Sequence, residues 1–318
     1  MLPYLGRRFT AAALTLALAC VVVFASIHLL PGDPVSVLLG EQAGADPDVV
    51  QKMRSQLGLD RPLVEQLVTW FAGLATGDLG KSLRTGEPVF ADVMVRMPRS
   101  LELIAGGLSI AVLFGIPLGI AAARGRGRFF GAAASVAAIA GFSAPIFVSG
   151  VILVIVFSLW LDVLPSSGFV AFTEDPLMHL ACLVLPATAI GINFMGVVAR
   201  MTRASLSDTM TKEYVRLARA KGLSRNAAVL YHALPNALVP VITIIGIRAG
   251  NLLGGTVIVE ALFDWPGLSS MLVSAVFTRD YPVIQGSLVA IFAVFVLIGL
   301  AIDICQGLVD PRTRETSA

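Results

Sequence analysis

Six stretches of this chain are long and apolar enough to cross a bilayer, and no other feature limits its fold so strongly. They are residues 9–30, 101–123, 129–160, 180–199, 237–259 and 283–309. A hydrocarbon core takes roughly 20 residues of helix. Inside it every backbone N–H and C=O must be bonded within the protein, which leaves only helices or a closed barrel. Unbroken runs of this length, with no alternation of apolar and polar residues, specify helices. Composition agrees, at 56% hydrophobic, 14% charged and a mean hydropathy of +0.84, whereas a soluble domain carries about 25% charged residues. The expected fold is an all-α integral membrane protein with six transmembrane helices and a small extracytoplasmic domain after the first. The third run is over-long. Pro145, in GFSAPIF, is expected to kink it or split off a short helix, and Pro186 to do the same in the fourth.

Basic residues set the orientation. Arg7 and Arg8 precede the first span, and Arg124, Arg126 and Arg128 separate the second from the third. Arg200, Arg203, Lys212, Arg216, Arg219, Lys221 and Arg225 separate the fourth from the fifth, and Arg312 and Arg314 follow the sixth. These fourteen of the 23 Lys and Arg fall on one side, so both termini are expected in the cytoplasm. The resulting division is residues 1–30 as N-terminus and first helix, 31–99 as an extracytoplasmic excursion, 100–310 as a five-helix core carrying a basic loop at 200–236, and 311–318 as a cytoplasmic tail. Within the excursion, residues 49–57 and 64–75 read as helices, with Pro47 and Pro62 near their starts. The first span has the basic start of a signal peptide. Its apolar run is longer than a signal core, no small-x-small site ends it and five spans follow, so it is expected to be retained. Ala17–Cys20 faintly resembles a lipoprotein cleavage site, but more apolar residues follow the cysteine.

Other function classes find little support. A net charge of +2 does not call for nucleic acid. Cys20, Cys182 and Cys305 lie singly in apolar runs, and His28, His179 and His232 are isolated, so no disulfide framework or metal spacing is present. No nucleophile or acid–base cluster falls at membrane depth, so the chain is read as lacking a catalytic site. Ala75–Ser82, ATGDLGKS, fits a relaxed phosphate-loop pattern with alanine for the first glycine. A phosphate loop follows a buried strand and opens a helix. Here a helical segment precedes it and the topology places it outside, so a turn-rich piece of the excursion is the better reading.

The basic loop 200–236 carries the most information. From Thr211 to Pro240 it reads TKEYVRLARAKGLSRNAAVLYHALPNALVP. Thr211 is the expected N-cap of a first short helix and Gly222 its left-handed C-terminal residue. Ser224 is expected to cap a second helix over 225–233, with Pro235 starting the fifth span. Tyr214, Leu217, Ala218 and Lys221 fall at i, i+3, i+4 and i+7, predicting a mostly apolar stripe with Arg216 and Arg219 elsewhere. The small Ala218, Ala220 and Gly222 would let a partner backbone come close. Two readings stand on these residues alone: a docking surface for another protein, or an amphipathic helix on an anionic leaflet.

The same loop resembles the coupling loop of permease subunits of binding-protein-dependent ABC importers, Glu-Ala-Ala-x3-Gly-x9-Ile-x-Leu-Pro. Gly222, Ala218, Leu234 and Pro235 match it. Arg216 stands for the glutamate, Leu217 for the first alanine and His232 for the isoleucine, and Glu213 is out of register. These departures are similar to the dipeptide/oligopeptide/nickel class, whose YVRTARAKGLS here reads YVRLARAKGLS. Further landmarks of that class follow in order: LLPGDP (29–34), GDLGKS (77–82), LPNALVP (234–240), VEALFDWPGL (259–268), RDYPVIQG (279–286) and DPR (310–312). The resemblance implies a multi-pass permease of a prokaryotic inner membrane that takes a small solute, with di- or oligopeptide foremost, from an extracytoplasmic binding protein. It implies a second homologous permease and two cytoplasmic ATPase subunits or domains, with ATP and Mg bound there and no cofactor in this chain. The coupling surface would comprise Tyr214, Arg216, Leu217, Ala218, Arg219, Ala220, Lys221, Gly222, Leu234 and Pro235.

Inside the fifth span, Arg248 and Asn251 lie three apart and are candidates to line a path, since ionisable groups at membrane depth face protein or water. Pairing of Arg248 with a partner subunit, and close helix contact at Gly246, Gly250, Gly254 and Gly255, is the alternative. Glu260, Asp264 and Asp280 near the outer mouth are candidates for an outer gate or binding-protein contact, or for a solvated rim. Asp303 is expected in a structural ion pair. A self-sufficient secondary transporter or channel is the competing reading, but it would need its own coupling residues and commonly an internal repeat, and neither is evident.

Overall fold

The computed structural model describes residues 2–29, 51, 54–55, 60–124 and 145–309. The expectations on Pro47, most of 49–57, LLPGDP after its first residue, residues 129–144 of the third span, and DPR with the tail lie outside these residues. The helices are α1 (Leu2–Leu29), α2 (Leu63–Thr76), α3 (Val89–Arg124), α4 (Ile146–Leu153), α5 (Pro176–Thr209), α6 (Glu213–Ala220), α7 (Leu234–Leu262), α8 (Leu268–Thr278) and α9 (Tyr281–Val309). No strand occurs among the described residues, and five helices are long and apolar enough to cross a membrane. These contain the first, second, fourth, fifth and sixth expected spans. Pro145 sits at the N-cap of α4, which continues as π-helix over Val154–Trp160. Pro186 leaves α5 unbroken.

Helix ends differ from the expected spans because polar residues end a hydropathic run without ending a helix. α3 begins at Val89, twelve residues before Leu101, and runs through Asp92, Arg96, Pro98 and Arg99. Val89, Val93 and Met97 recur every fourth residue and supply the packing face for that extension. α5 passes Ala199 and carries Arg200, Arg203 and Asp208 to Thr209, and it opens on an Asp175 cap whose carboxylate accepts from the Leu177 and Met178 amides, each at 3.0 Å.

The chain divides into two compact units. The first comprises Met1–Phe9, Leu101–Trp265 and Leu297–Ala318. Its centre is a glycine seam between α3 and α5. A Cβ on Gly115 would come 3.0 Å from the Met195 carbonyl oxygen, and one on Gly119 would come 2.6 Å from that of Ala199. From the other side, a Cβ on Gly191 would meet Ile110 at 2.6 Å. Lipid is as apolar as leucine, so helices in a membrane associate through close van der Waals packing, which small residues permit. In the same unit Arg8 pairs with Asp303 at 3.1 Å and the Tyr4 hydroxyl donates to the Asp303 carbonyl. This is the ion pair expected of Asp303.

The second unit comprises Thr10–Ser100 and Pro266–Val296. Val89 and Val93 of α3, Leu268, Met271 and Ala275 of α8, and Val283, Ile284 and Ala290 of α9 form its core. The Leu268 amide, at the start of α8, donates to the buried Ser100 hydroxyl at 2.8 Å. α2 occupies the expected helix at 64–75, with Pro62 at its N-cap and a left-handed Gly77 at its C-cap.

Gly119→Val in the seam is expected to destabilise the protein by about 1–3 kcal/mol through overpacking. Gly299→Val, at a position with open space around a Cβ, should leave stability near wild type. Thermal unfolding of the two proteins in one detergent checks the contrast.

Candidate functional site

The basic loop folds as a helical hairpin. After α5, the Thr211 hydroxyl donates back to the Asp208 carbonyl at 2.7 Å and Lys212 pairs with Asp208 at 3.1 Å. Thr211 is therefore not the N-cap of α6. That position belongs to Lys212, which makes no side-chain cap bond. The turn spends the threonine hydroxyl on closing α5, and Glu213 in the first turn of α6 supplies the negative charge its N-terminus favours. α6 ends as expected. Gly222 has φ +97°, its amide donates to the Arg219 carbonyl, and the Leu223 amide donates to that of Ala218. This pair of bonds is a Schellman cap. The Ser224 hydroxyl then accepts from the Ala227 amide at 3.3 Å and caps Arg225–Ala227. The chain continues without a break through a π-helical stretch, Ala228–Ala233, into α7 with Pro235 in its first turn.

The hairpin's buried face is not the predicted one. Val215 (0% exposed) and Ala218 (8%) are the residues α6 turns inward, against Leu206, Ala228, Val229, Ala233 and Ala237, with Ile120 and Ala123 of α3 packed alongside. Tyr214, Leu217 and Lys221, expected on one stripe with Ala218, are exposed, Leu217 at 58%. The stripe divides because i, i+3, i+4 spans two faces and Val215 outcompetes Leu217 for the chain's own core. Arg216, Arg219, Ala220 and Gly222 are also exposed, Leu234 is half-buried and Pro235 exposed. The Arg225 guanidinium donates to the Arg124 carbonyl at the end of α3 at 3.1 Å, where the helix dipole favours a cation. The Ser205 hydroxyl donates to the Ala237 carbonyl at 2.8 Å. The hairpin is thus fastened to α3, α5 and α7 and presents a patch of Tyr214, Leu217, Leu223, Leu230 and Tyr231 among basic residues.

The other candidates lie elsewhere. Arg248 is exposed on α7, and the side chain of Asn251 lies outside the described residues. Asp264 is exposed, with a left-handed φ of 50°. Glu260 (1%) and Asp280 (4%) are buried, contrary to a solvated rim. Asp280 accepts from the Ser82 hydroxyl at 2.6 Å and the Leu83 amide at 3.1 Å. The Ser82 hydroxyl in turn accepts from the Arg84 and Thr85 amides. A carboxylate consumed in this way is a clip within its own unit rather than a contact for a protein docked outside. The clip also disposes of the phosphate-loop pattern, because the donors that would cradle phosphate already hold a carboxylate and a hydroxyl. One constellation was invisible in sequence. His179 lies 2.6 Å from Glu102, 77 residues away along the chain. An SLEL stretch and a solitary histidine carry no joint signal.

Residues 115–315 match the family described as binding-protein-dependent transport system inner membrane component, and residues 1–104 match the N-terminal component of the same systems. The chain is 37% identical over 338 aligned positions to the di/tripeptide transport system permease protein DppB of Pseudomonas aeruginosa (strain UCBPP-PA14), covering 99% of both chains. It is 36% identical to the dipeptide transport system permease protein DppB of Escherichia coli (strain K12), again over 99% of both. It is 38% identical to the glutathione transport system permease protein GsiC of the same strain, at 99% of both. Among solved structures, that of an amino acid ABC transporter with histidines shares the fold, with a TM-score of 0.50, 18% identity, and 70% of this chain and 94% of that one covered.

Asp280→Ala removes the acceptor for two donors. It is expected to cost about 2–3 kcal/mol of local stability, seen as faster proteolysis within residues 77–88 while the α3–α5 seam stays protected.

Proposed function

Since the chain belongs to the binding-protein-dependent transport system inner membrane components, the permeases of ABC importers, we propose that it forms one half of a path carrying a di- or oligopeptide into the cell. A second homologous permease completes the path. An extracytoplasmic binding protein delivers the cargo, and two ATPase subunits or domains, which bind ATP and Mg, seat on the helical hairpin. The cargo class rests on the relatives, whose names specify dipeptide, di/tripeptide and glutathione transport. All are short peptides with at least one carboxylate, so Arg248 and Asn251 lining the path would offer a cation and an amide to it.

The observation that carries the reading is the division of α6 into two faces. Val215 and Ala218 bind the hairpin to the chain's own core, while Tyr214, Leu217 and the basic Arg216, Arg219 and Lys221 remain exposed. A face so divided transmits force, because a partner that pushes on Leu217 pushes on α3, α5 and α7 together. With Leu217 in the groove of an ATPase, closure of the two ATPases would move these helices between inward- and outward-facing states. The basic hairpin places this surface, and both termini, in the cytoplasm. An amphipathic helix resting on lipid would leave the continuous α6–α7 connection without a task. A self-sufficient transporter would leave the hairpin without a partner.

Leu217→Glu is expected to leave the protein in the membrane, abolish uptake of a labelled dipeptide, and reduce co-purification of the ATPases by at least about tenfold. Full uptake and normal co-purification would remove the hairpin from the coupling role. Ala218→Glu tests something else, because it places a carboxylate in the hairpin's own core. For the path, Arg248→Ala should depress uptake with basal ATP hydrolysis unchanged, and unaltered uptake would strike Arg248 from it.

A further inference from the structure

His179 is the most deeply buried polar residue of α5 outside the glycine seam that bonds through both ends of its side chain. The ring is 2% exposed. Its Nδ1 lies 2.7 Å from the Val170 carbonyl oxygen, in the loop 161–175, and its Nε2 lies 2.6 Å from Oε1 of Glu102 on α3. Phe169 and Phe172 stand edge-on to the imidazole, with centroids at 5.7 and 5.6 Å, and Trp265 lies at 5.8 Å. Phe169 also meets Trp265 edge-on at 4.9 Å. The loop is held at two other places, by the Gly168 amide on the Phe263 carbonyl at 2.8 Å and by the Val163 and Leu164 amides on that of Phe157. One imidazole therefore joins α3, α5 and the loop, beside the tryptophan that follows α7.

The proton inventory of this site is closed. A carbonyl oxygen only accepts, so Nδ1 carries a hydrogen. A neutral ring then presents a bare lone pair at Nε2, and an ionised Glu102 presents another. Two acceptors do not sit 2.6 Å apart without a proton between them. The pair consequently holds one shared proton, as imidazolium and carboxylate or as imidazole and carboxylic acid. Glu102 is the charged group facing the ring. The remaining neighbours are the three aromatic rings and the Val170 carbonyl. Asp175, one turn earlier, spends its carboxylate on the Leu177 and Met178 amides. Glu174 is exposed in the loop, and the buried Glu260 accepts the Trp265 amide through its backbone carbonyl.

The geometry points to a proton-held latch: His179 and Glu102 clamp the loop 161–175 onto α3 and α5 while the shared proton is present, and loss of that proton frees the loop. The sign follows from proton binding. Above about pH 6.5 a solvated imidazole is neutral, so the clamped form binds one proton more than the open form and rising pH favours opening. Below that value both forms carry the proton and the dependence flattens. On the orientation proposed above, which this step adopts without depending on it, the loop lies on the side where cargo arrives. His179 is then a positioning residue for that entrance.

The test reads the loop itself and not transport. It is hydrogen exchange of the full-length chain in lipid nanodiscs, from about pH 6 to about pH 9, with intrinsic exchange rates divided out. Protection of the peptide containing the Gly168 amide should fall about tenfold as one charge-assisted bond is lost, while peptides from the α3–α5 seam stay unchanged. Glu102→Gln keeps a donor for a neutral Nε2 and has no proton to lose, so its loop should stay protected at both ends of the range. His179→Phe fills the aromatic niche without either bond and should leave the loop open throughout. Wild-type protection that is flat with pH, or a Glu102→Gln protein that keeps the wild-type fall, overturns the latch. Neither result bears on whether the chain carries peptides.

Discussion

A backbone amide in hydrocarbon has no water to turn to, and the architecture follows from that exclusion. It forces long helices and also removes the usual reason for them to associate, since lipid solvates leucine as well as another leucine does. What remains is close approach, and Gly106, Gly107, Gly115 and Gly119 of α3 provide it against α5. At Gly119 the neighbouring backbone carbonyl already occupies the space of a methyl group. The seam thus fixes the spacing of two helices whose far ends carry the coupling hairpin's anchor, through Ile120 and Ala123, and the Glu102–His179 contact.

Which parts of this were legible in the sequence follows from the range of each interaction. The spans were legible because hydropathy is a property of the residues themselves. Their ends were not, because Val89 and Val93 extend α3 through contacts with α8 and α9 that no local pattern announces. Local caps were read well where the geometry is intrinsic, as at Gly222 and Ser224, and poorly at Thr211, where a hydroxyl had a choice between two helices. The hairpin's apolar stripe was misassigned for a similar reason. Periodicity identifies apolar faces but does not say whether the chain's own core or a partner takes Leu217, and Val215 settles that only once Ala228 and Ala237 are in place. Asp280 with Ser82, and His179 with Glu102, join residues 198 and 77 positions apart, beyond the reach of any reading of neighbouring letters.

The family assignment and the physical reading contribute different things. Relatives of similar length identify a permease and name short peptides as cargo. They do not say which face of α6 is free, and the packing of Val215 and Ala218 does. The reading of Asp280 also changes on structural grounds alone, from a group facing the entrance to a buried staple.

The unbroken passage from Arg225 through the π-helical stretch into α7 has a consequence for how this segment can change over time. A π-stretch accommodates one residue more than α spacing allows, and each residue of an α-helix turns it by about 100°. Ala228–Ala233 is therefore a phase adjuster between a surface that meets one protein and a helix that meets others. A single insertion or deletion there would rotate every face of α7 relative to the hairpin while sparing both sets of side chains. Lineages could retune the alignment of the two without redesigning either, and helical-wheel comparisons drawn across residues 228–233 would be out of register by that same turn.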